Sequence, residues 1–132
     1  MNNNKIQWYR ILLWSQNPDK LKQFYTDVLG LEEAKHLDIS DDYGFLLKLN
    51  DTFSIWIGKH SKVTEKNRDP LRHMINFYVD DVFVWYEKMK DCDDVEIIQE
   101  PMVTPPTRES ADKRYVFTML DPEDNCLQFM NP

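Results

Sequence analysis

Apolar and polar residues alternate along this chain with two different periods. After Asn17, the residues Leu21, Phe24, Tyr25, Val28 and Leu29 recur at i, i+3, i+4, i+7 and i+8, one stripe of a helix. Asn17 suits the N-cap, Pro18 the first helical position and Asp19 the positive end of the helix dipole. Gly30 can take the left-handed conformation that ends such a helix. A second stripe, Val82, Trp85, Tyr86 and Met89, opens behind the acidic cap Asp80-Asp81 and runs toward Asp91.

Strand-like runs surround each helix. Trp8–Trp14 precedes the first, and Ala34–Ile39, Gly44–Leu49 and Phe53–Gly58 follow it, with Asn50-Asp51 as a hairpin turn. His73–Val79 precedes the second, and Val95–Glu100, Arg114–Leu120 and Asn125–Met130 follow, the last two joined by a turn over Asp121–Asn125. The order is strand-helix-strand-strand-strand, twice. Residues 1–58 form the first module and 71–132 the second, and the polar stretch 59–70 reads as a linker. Either module alone is too small for a self-sufficient core, so the two should pack together as one domain. Residues 101–113, with Pro101, Pro105 and Pro106, read as a loop near a cavity mouth.

Composition narrows the function classes. Hydrophobic residues make up 42% of the 132 and aromatics 13%, enough apolar material for a packed core. The formal net charge of −7 disfavours nucleic acid and anionic membrane as partners. Two cysteines, Cys92 and Cys126, stand in no CxxC or Cys/His cluster, which argues against a disulfide scaffold or a structural zinc site. The chain shows neither a signal-peptide run nor an apolar stretch of about 20 residues, so a reducing, cytoplasmic setting is expected.

The duplicated pattern resembles the vicinal oxygen chelate superfamily, which includes glyoxalase I, extradiol dioxygenases and bleomycin-resistance proteins. Three segments carry the resemblance: Asn17-Pro18-Asp19 leading into Phe24-Tyr25 and Val28–Leu31; Val79-Asp80-Asp81-Val82; and Asp121–Asn125 followed by Cys126-Leu127-Gln128. The last is similar to the family's terminal Asp-Pro-Asp-Gly-Asn turn and strand. The resemblance implies an α+β fold of two βαβββ modules, curved half-barrel sheets around a concave cavity with helices on the outer face. It also implies a frequent homodimer, some members exchanging modules between chains.

Metal-dependent members place His, Gln or Glu on the first and last strands of the modules. By that resemblance the first-strand position falls on Arg10 and its counterpart on Met74, with His73 one residue earlier. Gln128 stands where the last strand usually carries Glu, and the matching strand of the first half offers Ser54 or Trp56. Arginine is a permanent cation without an acceptor, and a thioether is too soft for hard divalent ions. No metal or other cofactor is therefore expected. A divalent metal held by His73, Gln128 and Glu100 is the alternative, and it requires a bulge to re-aim His73. His36 and His60 lie in polar stretches and read as exposed structural residues.

Strand alternation gives the expected lining. Trp8, Arg10, Leu12 and Trp14 share one face, and Tyr9, Ile11 and Leu13 the helix side. Ser54 and Trp56 turn inward, with Phe53, Ile55 and Ile57 behind them. Met74, Asn76, Tyr78, Cys126, Gln128 and Met130 turn inward, with Ile75, Phe77, Val79, Leu127 and Phe129 outward. The expected ligand-binding residues are Trp8, Arg10, Trp56, Met74, Asn76, Tyr78 and Gln128. A buried Arg10 needs a partner, either an anionic ligand or an internal carboxylate, for which Glu100 is the candidate.

Three functions remain open on these residues. The first is a metal-free protein that holds a small aromatic or amphipathic molecule in the cavity between modules. The second is a lyase or dioxygenase with a shifted metal-ligand set. The third is a non-catalytic dimeric interaction protein.

Overall fold

The structure, a computed structural model, describes residues 5–104 and 113–132 of the chain. It separates into two compact units, Met1–Lys66 and Asn67–Pro132. Each unit carries one helix and one open four-stranded mixed sheet, so the α+β fold of two βαβββ modules is present.

In the first unit the elements are β1 (Ile11–Trp14), α1 (Pro18–Gln23), β2 (Glu32–Ile39), β3 (Asp42–Lys48) and β4 (Ser54–Gly58), with strand order β1-β4-β3-β2. β1 runs parallel to β4, and the other pairs are antiparallel. Asn17 caps α1 by accepting from the Lys20 amide at 3.3 Å. The expected helix does not continue as one α-helix: Phe24–Val28 is a π-helical turn. Its Leu29 amide reaches back to the Phe24 carbonyl, while the Thr26 hydroxyl donates to the Lys22 carbonyl at 3.1 Å. A serine or threonine hydroxyl bonded to the preceding turn competes with the backbone ladder and distorts it. Gly30, at φ 83°, ends the segment in the left-handed region. Leu21, Phe24, Tyr25 and Leu29 are buried, so the apolar stripe survives the widened turn.

Asn50 closes the β3–β4 hairpin through its side-chain oxygen, which accepts from the Thr52 and Phe53 amides, each at 2.9 Å. Ile55, Ile57, Leu47 and Phe45 are buried as the core of this unit. The first strand is shorter than expected. Trp8, Tyr9 and Arg10 precede β1 and are exposed, so Trp8 is not a strand residue of this sheet.

The second unit contains β5 (Met74–Tyr78), α2 (Val82–Met89), β6 (Glu96–Thr104), β7 (Arg114–Leu120) and β8 (Cys126–Met130), in the order β5-β8-β7-β6. Asp81 caps α2 by accepting from the Phe83 and Val84 amides. Trp85 stacks on Phe129, and Tyr86 meets Phe117 edge-on, so the helix lies against the face that carries Phe117, Leu127 and Phe129. Of the loop expected over 101–113, residues 105–112 lie outside the described residues. Pro101 to Thr104 instead continue β6, with register shifts between Ile97 and Gln99 and between Gln99 and Met102. β6 is an edge strand, and an irregular edge is where a strand tolerates proline.

The closing turn is built on Asp121, which is buried. Its carboxylate accepts from the Glu123 and Asn125 amides at 2.8 and 2.9 Å and from the Asn125 side chain at 3.0 Å. Asp124 carries a positive φ of 62° in this turn.

Candidate functional site

Register decides which side chains of the first sheet share its helix-free face. Leu12 pairs with Trp56 and Trp56 with Leu46; Trp14 pairs with Gly58 and Gly58 with Gly44. On β2, Lys35 lies opposite Leu46 and Leu37 opposite Gly44. Cross-strand partners point to the same side of a sheet. Leu12, Trp14, Lys35, Leu37, Leu46 and Trp56 accordingly line one cavity of about 360 Å³ together with Arg10 and Asp42. Its wall is two indoles and three leucines, with charges at its ends.

Two glycines make room for the indoles. A β-carbon on Gly44 would lie 2.5 Å from the Trp56 ring, and one on Gly58 would overlap Trp56 Nε1 and lie 3.0 Å from the Trp14 ring. Trp56 thus lies down across its own strand and its neighbour instead of standing up into solvent.

Arg10 sits just before β1. Its Nε donates to Ser54 Oγ at 3.4 Å, and its guanidinium carbon lies 5.1 Å from the centre of the Trp8 ring. Among the described residues no acceptor is bonded to either terminal NH2 group. Two expectations are corrected here. Arg10 is exposed, and Glu100 belongs to β6 of the other sheet, where it accepts from the Tyr86 hydroxyl at 3.4 Å. Arg10 therefore lies beside a hydroxyl and an aromatic ring.

In the second unit, Met74, Asn76 and Tyr78 pair with Cys126, Gln128 and Met130, all on the face away from α2. Met74 and Tyr78 are exposed. Gln128 donates to Thr118 Oγ1 at 3.3 Å, and Asn76 Nδ2 lies 4.0 Å from the Met130 sulfur. The Asn76 side-chain oxygen is buried without a hydrogen-bond partner. Cys126 is buried, and burial, then the nearby Asp121 charge, pushes its thiol up from the ordinary range.

The histidines have local duties. His36 Nδ1 lies 2.9 Å from the Gly44 carbonyl oxygen and its ring stacks on Phe45; His60 accepts from the Lys62 amide at 3.1 Å and meets Trp14 edge-on. His73 is exposed and precedes β5, whose pairing with β8 runs from Met74 to Tyr78 without a shift. The bulge that would bring His73 onto the inner face is missing.

A larger hollow, about 580 Å³, lies beside the start of α1 and is lined by Asn17, Asp19, Asp38, Tyr43 and Lys59 among others. Three of its polar side chains are already engaged, because Asn17 caps the helix and Asp19 accepts from the Tyr43 hydroxyl. That hydrogen bond, then burial and the Asp19 and Asp38 charges, holds the Tyr43 phenol at about 12.

Lys35, Leu37, Asp42 and Leu46 were not legible as lining residues. The strands that carry them are evident in the sequence, but their faces depend on the β2–β3 register, which shifts between Glu33 and Lys35.

A family model described as Glyoxalase/Bleomycin resistance protein/Dioxygenase superfamily matches residues 6–129. The chain belongs to that superfamily. Among solved structures, the trypanothione-dependent glyoxalase I of Leishmania major superposes with a TM-score of 0.72 at 18% identity, over 96% of this chain and 87% of that one. A superfamily member from Sphaerobacter thermophilus gives 0.73 at 12%, over 97% and 98%. A glyoxalase family protein from Enterococcus faecalis gives 0.64 at 17%, over 99% and 100%. No curated protein matches the chain. At these identities the structures establish the shared fold.

Metal-dependent members of the superfamily hold a divalent ion, and the residues at those positions here do not fit one. Arg10 is a cation, Met74 a thioether, and Gln128 a single amide whose nitrogen is bonded to Thr118. Among the described residues no group of three or more His, Cys, Asp or Glu side chains is gathered in one place. No described helix is long and apolar enough to cross a membrane.

Proposed function

We propose that the protein is a metal-independent binder of a small aromatic or amphipathic molecule, held on the helix-free face of the first sheet. One observation carries this reading: Trp14 and Trp56, bedded on Gly44 and Gly58, share a cavity of about 360 Å³ with three leucines and Arg10. A concave, mainly apolar wall with a few placed polar groups suits a small organic ligand. Stacking on an indole supplies affinity without demanding one particular hydrogen-bond pattern.

The donor chemistry supports the metal-independent part. Coordination needs about three or four lone-pair ligands, and the family's positions hold a cation, a thioether and an amide. In this reading the protein acts as a cytoplasmic homodimer, where the free thiols Cys92 and Cys126 remain reduced.

The test combines elemental analysis with binding. Protein purified without chelator or affinity nickel is titrated with small aromatic compounds while tryptophan fluorescence is followed. Saturable quenching, unchanged by EDTA, is expected. Stoichiometric metal in the purified protein, or quenching abolished by EDTA, overturns the reading.

A further inference from the structure

One cation of the cavity wall, Arg10, is already positioned by its neighbours, and it names a ligand class. Across the sheet, Leu12, Trp56, Leu46 and Lys35 form one row, and Trp14, Gly58, Gly44 and Leu37 the next. Arg10 sits beyond the first row, hydrogen-bonded to Ser54. Asp42 lies beyond the second, opposite Ile39. Lys35 and Asp42 are thus separated by four residues of strand, about 13 Å. Arg10 stands on the β1 side of the indole floor and Lys35 on the β2 edge, three strand spacings or about 14 Å apart, and Ser54, Lys48 and Glu32 continue the row beside Arg10.

We propose that this site takes a planar aromatic anion, its ring on Trp14 and Trp56 and its carboxylate or similar group at Arg10. The inference rests on the binding function proposed above and specifies its ligand.

Two further observations support it. Neither Arg10 nor Lys35 has a carboxylate partner among the described residues, although the chain holds 23 acidic residues against 16 basic ones. Arg10 is also oriented before any ligand arrives. Ser54 accepts from Nε and the guanidinium carbon lies 5.1 Å from the Trp8 ring centre, which leaves a fork that matches a carboxylate. The net charge of −7 does not oppose this choice. At physiological salt the Debye length is about 8 Å, so the nearest cation outweighs distant carboxylates.

The experiment titrates the full chain with three isosteric probes: 2-naphthoate, 2-naphthalenemethanol and 2-naphthylmethylammonium. Tryptophan fluorescence or calorimetry gives each Kd. Naphthoate is expected to bind about tenfold or more tightly than the neutral alcohol, with the ammonium compound weakest. Arg10→Gln should remove most of that preference. Raising salt from low to molar concentration should weaken naphthoate alone. If the alcohol or the ammonium compound binds as well as naphthoate to the unmutated protein, the anion assignment is wrong while the binding function stands. If no probe perturbs the tryptophans, both fail. The ratio among probes in the unmutated chain decides the matter even if Arg10→Gln folds poorly.

Discussion

Trp56 and Gly58, two residues apart on β4, are matched so closely that a β-carbon on the glycine would overlap the indole nitrogen. Side chains two apart on a strand point the same way, so a bulky residue at 58 would lift the ring off the sheet. The flat aromatic floor of the cavity therefore depends on the glycine as much as on the tryptophan.

Gly58→Ala and Gly44→Ala should each displace Trp56. Overpacking of this kind costs about 1–3 kcal/mol. Urea denaturation followed by tryptophan fluorescence should show a lower midpoint and a shifted native emission. Leu49→Ala, on an exposed residue beyond β3, should show neither effect.

The buried Asn76 oxygen has no partner, and an unsatisfied buried acceptor costs about 1–3 kcal/mol. Asn76→Leu should therefore leave stability unchanged or raise it by about 1 kcal/mol. Thermal and urea unfolding of this variant test the point. A loss of several kcal/mol would mean that the amide makes a needed hydrogen bond.

Asp124 holds a left-handed conformation at φ 62° in the turn that Asp121 organises. The terminal turn of this superfamily usually carries glycine there, and aspartate is among the few other residues that tolerate the region. Asp124→Gly should be close to neutral, whereas Asp124→Ala should cost about 1 kcal/mol. Equilibrium unfolding of the pair separates backbone conformation from lost charge, since both variants remove the carboxylate.

Tyr43 donates to Asp19, and its phenol is raised to about 12 from the ordinary value near 10. A raised folded-state value means that the contribution to stability is complete below about pH 10 and lost as pH rises through about 12. Ultraviolet titration of tyrosinate should show a late contribution from Tyr43 that disappears in Tyr43→Phe, while that of Tyr86, raised by burial and then by the Glu100 charge, remains. A Tyr43 that titrates near 10 would show that the hydrogen bond does not persist in solution.

Much of the fold was legible because it is local. Asn17, Asp81 and Asn50 announce their caps and turn by residue type and spacing, and the stripes Leu21–Leu29 and Val82–Met89 announce the helix faces. The alternation of Leu12, Trp14 and Trp56 was equally plain, because period two is fixed by strand geometry. Cross-strand register was not. Lys35 and Leu46 meet across a register shift, and Pro101 enters a strand at an irregular edge. Glu100 was the carboxylate candidate for Arg10; in the structure it lies on β6 and accepts from the Tyr86 hydroxyl. Trp8 sits outside the sheet because β1 starts three residues later.

The most direct measurement of the binding account uses the four indole N–H signals in a proton–nitrogen NMR spectrum, assigned through single Trp→Phe variants. On titration with 2-naphthoate, the Trp14 and Trp56 signals should move together and saturate. Trp85, which α2 stacks on Phe129, should stay in place. Shifts confined to Trp85, or no shifts at Trp14 and Trp56 under saturating probe, would contradict a ligand site on the first sheet.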